Sequence, residues 1–120
     1  MRYAIWLDDM RDPGSRFYEI CIQMKIDTII RCYTGEAAIE TLMAIDCAPL
    51  FISFDHDLGE GATGYDVAKW IAARNHMRDY CYLRSEFIFW VHSQNAVGAK
   101  NIHETMHATL HNTICTEFPI

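Results

Sequence analysis

Tyr3-Ala4-Ile5-Trp6-Leu7 is an unbroken apolar run that stops at Asp8-Asp9. A run apolar on both alternating faces reads as a strand buried on both sides, the kind found inside a parallel sheet. Similar runs recur. Thr28–Tyr33 reads as a second strand, Leu50–Phe54 as a third and Phe87–Val91 as a fourth. Between them the spacing changes to threes and fours, the period of a helix. Phe17, Ile20, Cys21 and Met24 predict a helix over 15–24, with Ser15 as its N-cap after the turn Arg11-Asp12-Pro13-Gly14. Ala37, Ala38, Ile39, Leu42 and Met43 predict the buried stripe of a second helix opened by Thr34-Gly35-Glu36-Ala37, without the glutamate of a full capping box. Val67, Ala68, Trp70 and Ile71 predict a third over 65–75, after a loop marked mobile by Gly59, Gly61 and Gly64. A fourth is predicted over 96–112. Residues 76–85 read as a polar connection, and the last residues as a short strand or a packed tail.

The order βαβαβαβα implies a parallel sheet with right-handed crossovers and helices on both faces. The expected architecture is a single α/β domain over 1–120, a three-layer α/β/α sandwich with four to five strands in the flavodoxin-like order 2-1-3-4. In such sheets ligands bind beyond the carboxyl ends of the strands. Strands one, three and four end in Asp8-Asp9, Asp55-His56-Asp57 and His92-Ser93. The order 2-1-3-4 brings these three ends together and leaves Tyr33-Thr34 outside the crevice.

Crowded carboxylates require a cation, a shared proton or a histidine. Two readings stand side by side. In one, Asp8, Asp9, Asp55 and Asp57 hold a hard divalent ion, Mg²⁺ or Mn²⁺, through oxygen. In the other, Asp9 and Asp57 orient His56 and His92, which face each other as general acid and base. Paired imidazoles suit the opening of a cyclic phosphodiester, and Arg11 suits a phosphate clamp. Ser93, Asn95 and Gly98 lie at the mouth of the fourth helix, where free N–H groups meet an anion, or where Ser93 and Asn95 serve only as caps. Thr63 reads as a cap. His103, His107 and His111 recur every four residues and read as a solvated helix face.

Composition narrows the field. A net charge of −6 argues against an extended nucleic-acid surface, while a small phosphorylated ligand or one RNA end remains compatible. No apolar run is long enough to span a membrane. Met1–Leu7 followed by two aspartates is not the pattern of a secretory leader, so the expected location is cytoplasmic. Five cysteines with no Cys-x-x-Cys pair read as reduced structural thiols.

Ile5-Trp6-Leu7-Asp8-Asp9-Met10-Arg11, Ser53-Phe54-Asp55-His56-Asp57-Leu58-Gly59, Thr63-Gly64-Tyr65-Asp66-Val67 and Val91-His92-Ser93-Gln94-Asn95-Ala96-Val97-Gly98 together resemble the cyclic-phosphate processing receiver-like family, a divergent branch of the response-regulator receiver fold. The resemblance implies a receiver-like sandwich and a phosphoesterase role on cyclic nucleotides or 2′,3′-cyclic phosphate ends. It carries the family's site onto Asp8, Asp9, Arg11, Asp55, His56, Asp57, His92, Ser93 and Asn95. The chain differs from a phospho-accepting receiver in its two histidines and in lacking a clear fifth strand with a terminal lysine; Lys100 falls inside the fourth helix instead. The alternatives are a receiver-like binding or signalling module without turnover, and a small viral or mobile-element protein that binds a host factor.

Overall fold

A computed structural model describes residues 1–114. The expected tail strand and Cys115 lie outside the described residues. Four parallel strands, β1 (Tyr3–Leu7), β2 (Thr28–Cys32), β3 (Phe51–Phe54) and β4 (Ile88–Val91), form one sheet in the order β2-β1-β3-β4. They alternate with α1 (Ser15–Gln23), α2 (Gly35–Ala44), α3 (Gly64–Met77) and α4 (Ala96–Asn112). The three-layer α/β/α sandwich and its strand order are as the sequence predicts.

Side-chain alternation along the strands builds two cores. Tyr3, Ile5, Leu7, Ile52 and Phe54 face Ala38 and Leu42 of α2, Val67, Ala68 and Ile71 of α3, and Ile102 and Met106 of α4. Ala4, Trp6 and Phe51 face the other way, against Phe17 and Cys21 of α1. One helix therefore covers one face and three cover the other.

Some local expectations change. Ser15 does not cap α1: the N-cap is Gly14, with no side-chain bond. Met43, expected in the stripe of α2, is exposed. Thr34 caps α2 by accepting the Ala37 N–H. The segment read as a polar connection is partly helix, since α3 runs on to Met77, and it then sends Tyr82 and Leu83 into the core. Buried Asn75 organises that return, because its Oδ1 accepts the N–H groups of Tyr82 and Leu83. Asp79 and Tyr80 adopt positive φ to make the turn, a conformation most residues avoid. His103, His107 and His111 are exposed, as a solvated face requires. Cys21, Cys32 and Cys47 are free thiols. Among the described residues no helix is long and apolar enough to cross a membrane.

Candidate active site

Strand register sets the site. Leu7 lies opposite Phe54, and Phe54 opposite Val91. The ladder runs one residue further, for Asp55 donates its N–H to the Leu7 carbonyl and His92 to the Phe54 carbonyl, each at 2.9 Å. Asp8, Asp55 and His92 thus stand abreast on adjacent strand ends. Each lies two residues beyond one of Trp6, Ser53 and Trp90, which form a row on the α1 face. Asp8 and Asp55 are buried and His92 half-buried. One ligand-type atom from each lies within 4.8 Å of the others.

Asp8 is the most heavily bonded of the three. Its Oδ1 accepts the backbone N–H groups of Met10 and Arg11, both at 2.8 Å. Its Oδ2 meets His92 Nε2 at 2.9 Å and Arg11 Nε at 3.3 Å. Burial pushes the Asp8 carboxyl up, but the two backbone donors and His92 together outweigh it and hold the group below its ordinary range. Asp55 goes the other way. Burial, with the Asp8 charge beside it, raises the Asp55 carboxyl, and His92 and Arg11 offset only part of this.

His92 is engaged at both ring nitrogens. Nδ1 lies 2.7 Å from the buried Ser53 hydroxyl and Nε2 meets Asp8. With Asp8 ionised, Nε2 carries the proton and Nδ1 accepts from Ser53. The ring stacks on Trp6 at 4.2 Å and 4°. Burial lowers its pKa, and Asp8 opposes this without overcoming it. The neutral imidazole is therefore a fixed donor to Asp8.

His56 belongs to a second group. Its Nδ1 lies 3.0 Å from Asp57 Oδ1. Asn95 Nδ2 donates to the same oxygen at 3.2 Å. His56, then Asn95, hold the Asp57 carboxyl below its usual range. With Asp57 accepting at Nδ1, the His56 Nε2 is left as the basic nitrogen. Asn95 and Ser93 act as caps: Asn95 Oδ1 accepts the Gly98 N–H at 2.8 Å and Ser93 Oγ the Asn95 N–H at 3.0 Å. The Gly98 N–H is thus already taken, and what this glycine supplies is space, since a Cβ there would overlap the His56 ring. Thr63 is the expected cap, in a capping box with Asp66.

Gly98→Ala should accordingly displace His56 from Asp57 and Asn95 while leaving α4 helical. In the NMR spectrum of the histidine rings, the His56 resonances should move and those of His92 stay. An unmoved His56 would show that the ring does not depend on this seat.

A cavity of about 460 Å³ opens beside these groups, lined by Asp8, Asp9, Asp55, Asp57 and Arg11, with Met10, Gly59 and Gln94 at its rim. All four carboxylates read from the sequence reach it. Neither imidazole lines it, so His56 and His92 do not face each other across the cavity; each stands behind an aspartate. Three contributors escaped the sequence reading: Ser53, Trp6 and Gln94. The first two were legible in principle, because residues two apart share a face of a strand and both sit two before a site aspartate. Gln94 carried no such signal.

No curated protein matches the chain. The model of one family does, described as the cyclic-phosphate processing receiver domain, and it matches residues 3–108. That span takes in every strand, every site residue and most of α4, so this chain belongs to the cyclic-phosphate processing receiver domain family.

Proposed function

We propose that this chain is a phosphoesterase that opens a cyclic phosphate, on a cyclic nucleotide or a 2′,3′-cyclic phosphate end, in the acidic cavity. The observation that carries this reading is the pair Asp8 and Asp55, two buried carboxylates abreast with the Asp55 charge left poorly compensated. An anionic substrate enters such a cavity only with a cation. Asp8 and Asp55 fit a hard divalent ion such as Mg²⁺ or Mn²⁺ through oxygen, with Asp9 and Asp57 lining the same space. His92 fits less well as a ligand, because both its nitrogens already have partners. A bound ion would supply charge neutralisation at the phosphate.

The chain's own residues do the rest. Arg11 is anchored by its Nε on Asp8 and by one terminal nitrogen on the His92 carbonyl at 3.0 Å, and its guanidinium adds positive charge at the cavity wall. Asp57, which lines the cavity, takes a proton from the attacking water, its carboxylate held in place by His56 Nδ1 and Asn95 Nδ2. Water adds to phosphorus, one ring P–O bond breaks, and the leaving oxygen takes a proton from solvent. His92 positions Asp8 and keeps its charge in place.

The test is turnover of 2′,3′-cyclic and 3′,5′-cyclic nucleotides with and without Mg²⁺ or Mn²⁺. A monoester product that needs the ion and disappears with chelator is the expected result. Ligand binding without product under all conditions would instead favour the receiver-like binding module, a reading supported by the absence of either imidazole from the cavity lining.

A further inference from the structure

A second hollow, of about 400 Å³, lies across the β1–α1 loop from the acidic cavity. Tyr18 of α1, Ile29 and Arg31 of the edge strand β2, Tyr33 just beyond that strand, and Asp12 of the loop form its walls, with Trp6 beneath. Tyr18, Ile29 and Tyr33 are 46%, 39% and 56% exposed. Three large side chains with apolar surface are thus turned to solvent around one concavity, the kind of patch that marks a binding site.

Arg31 is held rigidly there. Its NH1 meets Asp12 Oδ1 at 2.7 Å, and its Nε and NH2 both donate to the Asp8 carbonyl at 3.2 Å. Its guanidinium lies over the Tyr33 ring, 4.3 Å from the centroid. A flat cation and a flat ring are therefore already stacked at the wall, with no ordering needed on binding. The same contacts couple the hollow to the acidic site. Asp8 offers its carboxylate to the cavity and its carbonyl to Arg31. Trp6 lies under His92 on one side and donates Nε1–H to the Arg11 carbonyl at 2.8 Å on the other.

We infer that this hollow seats the base of a nucleoside whose cyclic phosphate occupies the acidic cavity. Bases stack on aromatic rings and guanidinium planes, and such stacking tolerates any base because each has a π-face. The hollow is within the size range of small-molecule sites. Its walls offer planes and apolar surface rather than a set of fixed donors, so the seat reads a base without choosing strongly among bases. The inference rests on the phosphoesterase reading and adds to it a place for the base of the substrate.

The experiment compares adenosine 2′,3′-cyclic phosphate with the methyl riboside 2,3-cyclic phosphate, which lacks a base, and with a short RNA ending in the same cyclic phosphate. Wild type, Tyr33→Ala and Tyr33→Phe are assayed on each with Mn²⁺ present. Tyr33→Ala should raise KM for the base-bearing ligands roughly 10-fold, the scale of one lost base–aromatic stack. It should leave the base-free KM unchanged, and Tyr33→Phe should behave as wild type. A penalty on the mononucleotide identifies a free nucleotide as occupant, and one on the RNA alone an RNA end; both support the seat. Equal KM values for base-bearing and base-free ligands in wild type, or a Tyr33→Ala effect that moves them alike, would overturn it while leaving the phosphoesterase reading intact. If neither these ligands nor a 3′,5′-cyclic nucleotide is hydrolysed, that reading fails, and calorimetry with the same ligands decides the seat: base-dependent binding lost in Tyr33→Ala upholds it, and binding that ignores the base overturns it.

Discussion

Asp55→Asn should lower the rate of cyclic phosphate opening by about 10³-fold, the upper range for losing one transition-state electrostatic contact, while raising the melting temperature of the ion-free protein. The two effects share one cause. Asp55 is buried beside Asp8, and its carboxyl is raised by that burial and that charge. A group whose folded pKa lies above its unfolded value gives stability that is complete below the unfolded pKa and is lost as pH rises through the folded one. Near neutral pH the ionised Asp55 therefore works against folding, and asparagine removes the charge without changing shape. Sites that trade stability for function in this way are common. Thermal melts with and without Mn²⁺ check it. Wild type should gain stability from the ion, and Asp55→Asn should gain far less. A variant that melts lower than wild type without the ion, and still turns over, would show that Asp55 is an ordinary strand-end residue.

His92→Ala should cost about 2–3 kcal/mol of folding stability, the scale of a lost hydrogen bond to a charged group together with lost ring packing. The substitution takes one donor from the Asp8 carboxylate, which keeps the Met10 and Arg11 N–H groups, removes the imidazole that accepts from the buried Ser53 hydroxyl, and removes the ring stacked on Trp6. His56→Ala should cost less, about 1 kcal/mol, since the ring is largely covered but its partner Asp57 is exposed. The two histidines follow neighbouring strands alike, and their contacts separate them. The sign of the pH dependence follows. The pKa of His92 and that of Asp8 are both depressed in the folded state. Each therefore contributes stability that is present above its unfolded pKa and lost as pH falls through its folded one. For His92 that loss begins as pH drops below about 6.5, and for Asp8 below about 4. Urea melts across pH 4–8 should show in wild type a loss that begins near 6.5, set against the gain from protonating Asp55, and His92→Ala should lack that loss. Equal urea midpoints for His92→Ala and wild type would sink the buried-pair account.

The sequence announced the sheet because each strand is short, apolar and followed by a polar stop. Tyr3–Leu7 and Asp8-Asp9 are the plainest case. It announced the convergence of Asp8, Asp55 and His92 because parallel strands in the order 2-1-3-4 leave those three ends adjacent. It did not announce which way each imidazole turns. His56 and His92 look alike on paper, since each follows a strand and neighbours a carboxylate or a hydroxyl. What separates them is distant in the chain: Ser53 and Trp6 claim His92, while Asn95 and the bare Cα of Gly98 claim His56. The segment after α3 misled for a related reason. Its charged residues Arg78, Asp79 and Arg84 flank the apolar ones, and Asn75 turns the backbone inward so that Tyr82 and Leu83 are buried.

Hanging the three central groups directly on the ladder, rather than on loops, gives the site a parity. Asp8, Asp55 and His92 each lie two residues beyond the row of Trp6, Ser53 and Trp90. Adding or deleting one residue within any of these strand ends would throw that group out of phase and onto the opposite face of the sheet. A change of two residues would restore its face while shifting its height by about 7 Å. Loops away from the cavity can therefore lengthen, but a length change at the ends of β1, β3 or β4 dismantles the cluster at a stroke.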